Sequence, residues 1–210
     1  NQALLDKFMV DTVKNVAAKY TSDTPDSPVS FGYKMNWLAI KTTDAKTIAN
    51  ELAGDKYIYT TNWSKGVDGA YRGATFVSPS IDGWILVINP GIADPSANDD
   101  KDSLIRLSQK FGEVHLYGTH RVSSAAIWAK LVNGNMLRAV SIGDYELYAE
   151  IGNATKEEEQ LIEEAKATRN AEDFDHFDEQ TYITLLTDEE WVMKLAGIWS
   201  IDPTILDERK

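Results

Sequence analysis

Residues 112–142 read G-E-V-H-L-Y-G-T-H-R-V-S-S-A-A-I-W-A-K-L-V-N-G-N-M-L-R-A-V-S-I, and this stretch decides the fold class. Its centre is Asn133-Gly134-Asn135, flanked by Ala125 to Val132 and Met136 to Ile142, two runs of β-forming residues. Asn and Gly accept positive φ at little cost, so the three residues predict a tight hairpin and hence antiparallel pairing. Upstream, Val114, Leu116 and Tyr117 predict another strand, and downstream Tyr145, Leu147 and Tyr148 predict one more.

Working outward toward the N-terminus, Leu104, Ile105, Leu107 and Phe111 recur at helical spacing over 103–111, and Gly112 stops that helix. Before it, Ala74 to Ser78 and Trp84 to Asn89 predict a hairpin across the turn-forming residues 79–83. Before that, Trp37, Leu38, Ala39 and Ile40 predict a strand, followed by Asp44 as helix cap, a helix to Leu52 and Gly54 as its stop. The order strand, helix, strand, strand, helix, strand is the split βαβ pattern of ferredoxin-like sandwiches. The fold class is therefore α+β: an antiparallel-rich sheet covered by helices on one face, with further helices at both ends of the chain.

At the N-terminus, Leu4, Leu5, Phe8, Met9, Val13 and Val16 predict an amphipathic helix over 2–20, and Pro25 and Pro28 make Thr21 to Pro28 a linker. This divides the chain into a helix and linker over 1–28 and one α+β domain over 29–210. At the other end, Thr155 with Glu158 and Thr187 with Glu190 predict two capping boxes. In the second helix Trp191, Val192, Leu195 and Ala196 supply an apolar face before Gly197, which predicts docking onto the sheet.

The 210 residues carry 33 acids against 21 Lys and Arg, a net charge of −12, and residues 141–190 alone hold 16 acids and 3 bases. A field of that sign disfavours nucleic acid and suits a basic protein partner or simple solubility. With no cysteine, thiol catalysis, Cys-ligated zinc and iron–sulfur chemistry are excluded. No apolar run approaches the roughly 20 residues of a membrane span. Asn1 stands where a Met would open a chain, which fits removal of a leader and an exported origin as well as a cytoplasmic one.

Catalytic motifs are sparse. G-x-S-x-G is absent, and Ser64, Ser123 and Ser124 lack a context that activates an alcohol. Gly66, Gly69 and Gly73 do not form a phosphate loop and read as turns, and H-E-x-x-H is absent. The cluster Asp173, Asp175, His176, Asp178 and Glu179 fails the EF-hand spacing, with Asp178 where Gly is needed and Ile183 where Glu is needed, so it reads as a solvated acidic loop without a metal. No cofactor is implied. Strand alternation gives Glu113, His115 and Tyr117 one face, with His120 and Arg121 at its rim. A histidine beside a carboxylate suits acid–base work and an arginine suits an anion, which makes these five the candidate pocket. Trp63 lies among Thr60, Thr61, Asn62, Ser64 and Lys65, so it reads as an exposed contact residue, with Tyr57, Tyr59 and Tyr71 nearby.

Three blocks, Asp82-Gly83-Trp84, residues 111–140 (F-G-E-V-H-L-Y-G-T-H-R-V through W-A-K-L-V-N-G-N-M-L-R-A-V) and residues 192–206 (V-M-K-L-A-G-I-W-S-I-D-P-T-I-L), resemble a family of uncharacterised bacterial proteins. The resemblance spans roughly residues 35–150 and 185–207, implies a bacterial origin and one continuous domain, and brings no catalytic or binding residue with it. Two functional expectations follow. The first is a non-enzymatic protein-interaction domain, of inhibitor or immunity type, acting on a basic partner. The alternative is an enzyme or small-ligand receptor with a pocket near Glu113, His115, His120 and Arg121.

Overall fold

The computed structural model describes residues 22, 24–52, 58–59, 61–168 and 179–208. In chain order these form β1 (Met35–Ile40), α1 (Ala45–Leu52), β2 (Ile58–Tyr59), α2 (Trp63–Ala70), β3 (Thr75–Val77), β4 (Ile85–Ile88), α3 (Asn98–Phe111), β5 (Glu113–His120), β6 (Ala125–Val132), β7 (Asn135–Gly143), β8 (Glu146–Ile151), α4 (Lys156–Thr168), α5 (Glu179–Leu186) and α6 (Glu189–Trp199). The fold is α+β. One sheet of eight strands runs in the order β2-β3-β4-β1-β5-β6-β7-β8. Every neighbouring pair is antiparallel except β2 with β3. β4 is inserted between β1 and β3, and the sheet as a whole is wider than a ferredoxin-like sandwich. The predicted N-terminal helix over 2–20 lies outside the described residues.

Helices cover both faces of this sheet, which corrects the expectation of one. On one face Leu38, Ile40, Val77, Ile85, Val87, Val114 and Leu116 pack against Ile48 of α1 and Leu104 and Leu107 of α3. On the other, Trp37, Phe76, Leu86, Ile88, Tyr117, Trp128 and Val140 pack against α2, α4, α5 and α6. The cause is legible in β1 and β4: W-L-A-I and I-L-V-I are unbroken apolar runs, and a strand buried on both sides has no polar face to alternate with.

Local chemistry sets the boundaries. The Asn133-Gly134 turn forms as expected, with φ of 50° and 82°. In the first capping box the Thr155 amide donates to Glu158 Oε2 (2.8 Å) and the Glu158 amide to Thr155 Oγ1 (3.2 Å). The second box is not made by Thr187. Asp188 caps α6 instead, accepting from the Glu190 amide at 2.9 Å, while Thr187 Oγ1 donates back to the Thr184 carbonyl at the end of α5. α6 also runs through Gly197 to Trp199. α3 begins at Asn98 rather than Ser103, with Asp99 and Asp100 in its first turn where a carboxylate favours the helix dipole, and Gly112, at φ 88°, follows its last residue. The residues Asp173, Asp175, His176 and Asp178 lie outside the described residues, and Glu179 opens α5.

α6 docks as expected. Trp191, Val192, Leu195 and Ala196 are buried, and the Trp191 ring lies 4.7 Å from that of Trp128 on β6. An eleven-residue helix is marginal alone, so its order derives from this apolar contact. Trp191→Ala is expected to lower the unfolding free energy by about 3–5 kcal/mol. The check is the urea midpoint, and an unshifted midpoint would show that α6 contributes nothing to the fold.

Candidate functional site

The alternation of β5 does place Glu113, His115 and Tyr117 on one face, but that face is the core. His115 is 0% exposed and Tyr117 likewise. The His115 ring lies 5.1 Å from Trp84 and 5.7 Å from Trp199. The polar atoms form a line: Ser200 Oγ to Tyr117 Oη at 3.1 Å, Tyr117 Oη to His115 Nδ1 at 3.2 Å, His115 Nε2 to Glu113 Oε1 at 3.1 Å, and Lys41 Nζ to Glu113 Oε2 at 2.9 Å. A carboxylate only accepts, so Glu113 fixes the direction of the line. His115 carries its proton on Nε2 and donates to Glu113, and Tyr117 donates to Nδ1.

Electrostatics agree with this assignment. The hydrogen bond from His115, with the one from Lys41, holds the Glu113 carboxyl down at about 2 against the opposing effect of burial. Burial pushes His115 below the ordinary imidazole value, partly offset by Glu113, so the ring is neutral at pH 7. Burial pushes the Tyr117 phenol up. His115 and Tyr117 are thus satisfied inside the core, and Glu113, 22% exposed, closes the line at its edge.

The five residues expected to share a pocket therefore separate. His120 stands at the far end of β5, on the rim of a cleft of about 460 Å³ formed by the start of β1, the ends of β4 and β5, the start of β6 and the end of α2. Arg121 lines a different cleft of about 360 Å³ with Tyr33, Thr187, Asp188, Glu189 and Glu190. None of Glu113, His115 and Tyr117 lines either cleft.

Trp63 is also corrected: it is 3% exposed, the first residue of α2, with its ring edge-on to Phe76 at 5.8 Å. The polar neighbours that suggested a loop are a helix cap. Asn62 accepts from the Lys65 amide, and Asp26, from the segment expected to be a free linker, accepts from the amides of Trp63 (2.6 Å) and Ser64 (2.8 Å). These bonds hold the Asp26 carboxyl below its usual value despite some burial. Gly66 lets α2 approach the sheet closely, since a Cβ there would meet the Phe76 ring at 2.4 Å.

The strand ends around the His120 cleft carry what sequence reasoning missed. Among the described residues seven non-glycines have positive φ, and five of them, Lys34, Asn89, Ser124, Asp144 and Tyr145, lie at this end of the sheet. The same end exposes Tyr33, Tyr71, Val122 (75%) and Tyr145 (49%). The amide of Asp144 donates to the Ser123 carbonyl at 2.7 Å, which joins the β7–β8 turn to the β5–β6 loop. Tyr145, expected within a strand, is the second residue of a two-residue hairpin turn whose φ values are 52° and 60°. A turn of that kind ordinarily takes Gly at this position, as Gly134 shows at the opposite end. A tyrosine held there, half exposed, is retained against local strain. The signal in the sequence was D-Y standing where D-G would be expected, between two alternating runs.

Two outcomes are expected. As pH falls from the unfolded carboxyl value near 4.5 toward about 2, the unfolded chain protonates Glu113 before the native state does, so stability falls across that window. Glu113→Gln should flatten this part of the profile of urea midpoint against pH, and an unchanged slope would contradict the assignment. Tyr145→Gly should raise stability by about 0.5–1 kcal/mol, the relief of a left-handed side chain less the added entropy of the unfolded chain, read from the same midpoint.

No family model, curated protein or solved structure matches this chain.

Proposed function

We propose that this protein is a non-enzymatic protein-interaction domain, of inhibitor or immunity type, whose partner-facing surface is the strand-end face around Tyr33, Tyr71, Val122 and Tyr145. The observation that carries this reading is the coincidence, at one end of one sheet, of exposed aromatic side chains with backbone held in the left-handed region. Tyrosine supplies large contact area at small entropic cost and is enriched where interfaces draw their energy. Strain retained in the exposed Asp144-Tyr145 turn points the same way.

The charge supports a basic partner. Asp144 and Glu146 flank Tyr145, and Asp188, Glu189 and Glu190 lie beside Tyr33 in the Arg121 cleft. Acids rimming an aromatic patch steer a basic surface toward it and set the salt dependence of binding. The alternative reading required Glu113, His115, His120 and Arg121 around one pocket, and these residues occupy the core and two separate clefts.

The test is affinity capture from an extract of the source organism at low ionic strength. The expected partner is basic, its recovery falls at least about tenfold as salt rises, and Tyr145→Gly combined with Val122→Ser abolishes it while the domain stays folded. Recovery of no partner at low salt, or recovery indifferent to both salt and the double variant, overturns the proposal.

A further inference from the structure

The His120 cleft has a chemistry unlike the rest of this acidic chain. Among the described residues its lining contains no Asp or Glu, although the protein holds 33 of them. Lys34 gives it an ammonium and His120 an imidazole, while Met35, Ala70, Ala126 and Ile127 give it apolar walls. Lys34 has no acceptor among the described residues. The Ser123 hydroxyl donates to the His120 carbonyl (3.2 Å), so the contact between its oxygen and His120 Nδ1 (3.1 Å) is filled by a proton on Nδ1, and Nε2 has no partner among the described residues.

The cleft is also built. Gly118 lines it where neighbouring strands pack closely: a Cβ there would lie 2.1 Å from Asn36 Oδ1 and 2.8 Å from Ile127 Cγ1. The Asn36 carboxamide is fixed in that space by donating to the Ile92 carbonyl at 3.2 Å. The Tyr71 hydroxyl takes the Gly32 amide (3.3 Å) and donates to the Tyr33 carbonyl (3.1 Å), anchoring the opposite wall. Lys34 and Asn89, both in the left-handed region, are held at the rim. At about 460 Å³ the space is that of a small-molecule site.

We propose that this cleft binds a small monoanionic carboxylate with a compact apolar body, the carboxylate on Lys34, joined by Nε2 of His120 when that ring carries both protons, and the body against Met35, Ala70, Ala126 and Ile127. One flexible ammonium and one imidazole match a single carboxylate. A phosphate is better matched by an arginine fork or a cradle of backbone amides than by a lone ammonium, and among the described residues no arginine lines the cleft. The apolar walls disfavour a ligand charged throughout. This inference does not rest on the protein-interaction reading, since the cleft could serve either a free metabolite or the C-terminal carboxylate of a peptide chain.

The test is a titration of the full chain followed by backbone amide resonances, with phenylacetate, isovalerate and indole-3-acetate as probes and phenylacetamide as the uncharged control. Saturable shifts are expected at Asn36, Gly118 and His120, with phenylacetamide at least about tenfold weaker. Lys34→Gln should weaken phenylacetate about fivefold or more and leave the remaining spectrum and the thermal midpoint in place, with His120→Gln giving a smaller loss. An N-acetylated tripeptide ending in Phe, compared with its C-terminal amide, separates the two sources: tighter binding than phenylacetate assigns the cleft to a chain terminus, weaker binding to a free metabolite. The proposal is overturned if all three carboxylates fail to shift these amides up to about 10 mM, if phenylacetamide binds equally well, or if Lys34→Gln changes nothing.

Discussion

The carboxylate of Glu158 is the point on which the helix-covered face around Trp128 depends. It is 1% exposed, and an ionised group there is tolerable only when every lone pair is occupied. Trp128 Nε1 donates to it at 2.9 Å from β6, Arg138 Nε at 2.9 Å from β7, and the Thr155 amide at 2.8 Å from the start of α4. Arg138, itself fully buried, reaches further to Glu150 of β8 at 2.9 Å and to the Gly152 carbonyl at 2.8 Å. Three strands and a helix are thus registered by one ion pair, and Trp128, aligned by the same carboxylate, is the surface on which Trp191 of α6 rests. A buried pair of this kind adds little net stability over apolar packing of equal volume, but Glu158 without Arg138 would be an unpaired charge in a dry layer, and Arg138 without Glu158 would keep only the part-exposed Glu150. The arrangement therefore selects one docking of the helices over others.

A second polar line, from Ser200 through Tyr117 and His115 to Glu113 and Lys41, does the same for the middle of the sheet: it joins the residue after α6 to β5 and the end of β1. Both lines include a glutamate paired with a cation, and both consume chemistry that a sequence reader assigns to a site. Tyr33, Tyr71 and Tyr145 are exposed where strands end, and there the two ends of the sheet differ. One end turns with Asn133-Gly134, a pair suited to its backbone, and the other with Asp144-Tyr145, a pair that is not. Stability accounts for the first choice and not for the second.

Local signals in the sequence were mostly dependable, with the Thr187–Glu190 box and the stop at Gly197 among the exceptions. The Asn133-Gly134 hairpin, the Thr155–Glu158 box, the stop at Gly112 and the α+β class all follow from residues within a few positions of one another. Signals that depended on a distant partner were not. Trp63 reads as exposed because its neighbours are polar, yet those neighbours cap α2, and the decisive acceptor, Asp26, comes from 37 positions away. His115 reads as a candidate acid or base because alternation sets it beside Glu113, and nothing local says that Trp84 and Trp199 close over it. The two-sided burial of the sheet was present in W-L-A-I and I-L-V-I, though an unbroken apolar run alone does not say what will cover it. The cleft beside His120 joins residues from β1, α2, β4, β5 and β6, a set with no linear pattern to read.

All six tryptophans, Trp37, Trp63, Trp84, Trp128, Trp191 and Trp199, are buried in the layer between the sheet and helices α2, α4, α5 and α6, and none lies in the layer under α1 and α3. Indole emission from this protein is consequently a probe of half a molecule. The layer of Ile48, Leu104 and Leu107 could loosen while the fluorescence stayed native, and amide hydrogen exchange, which reads both layers, would register an opening that an optical melting curve misses.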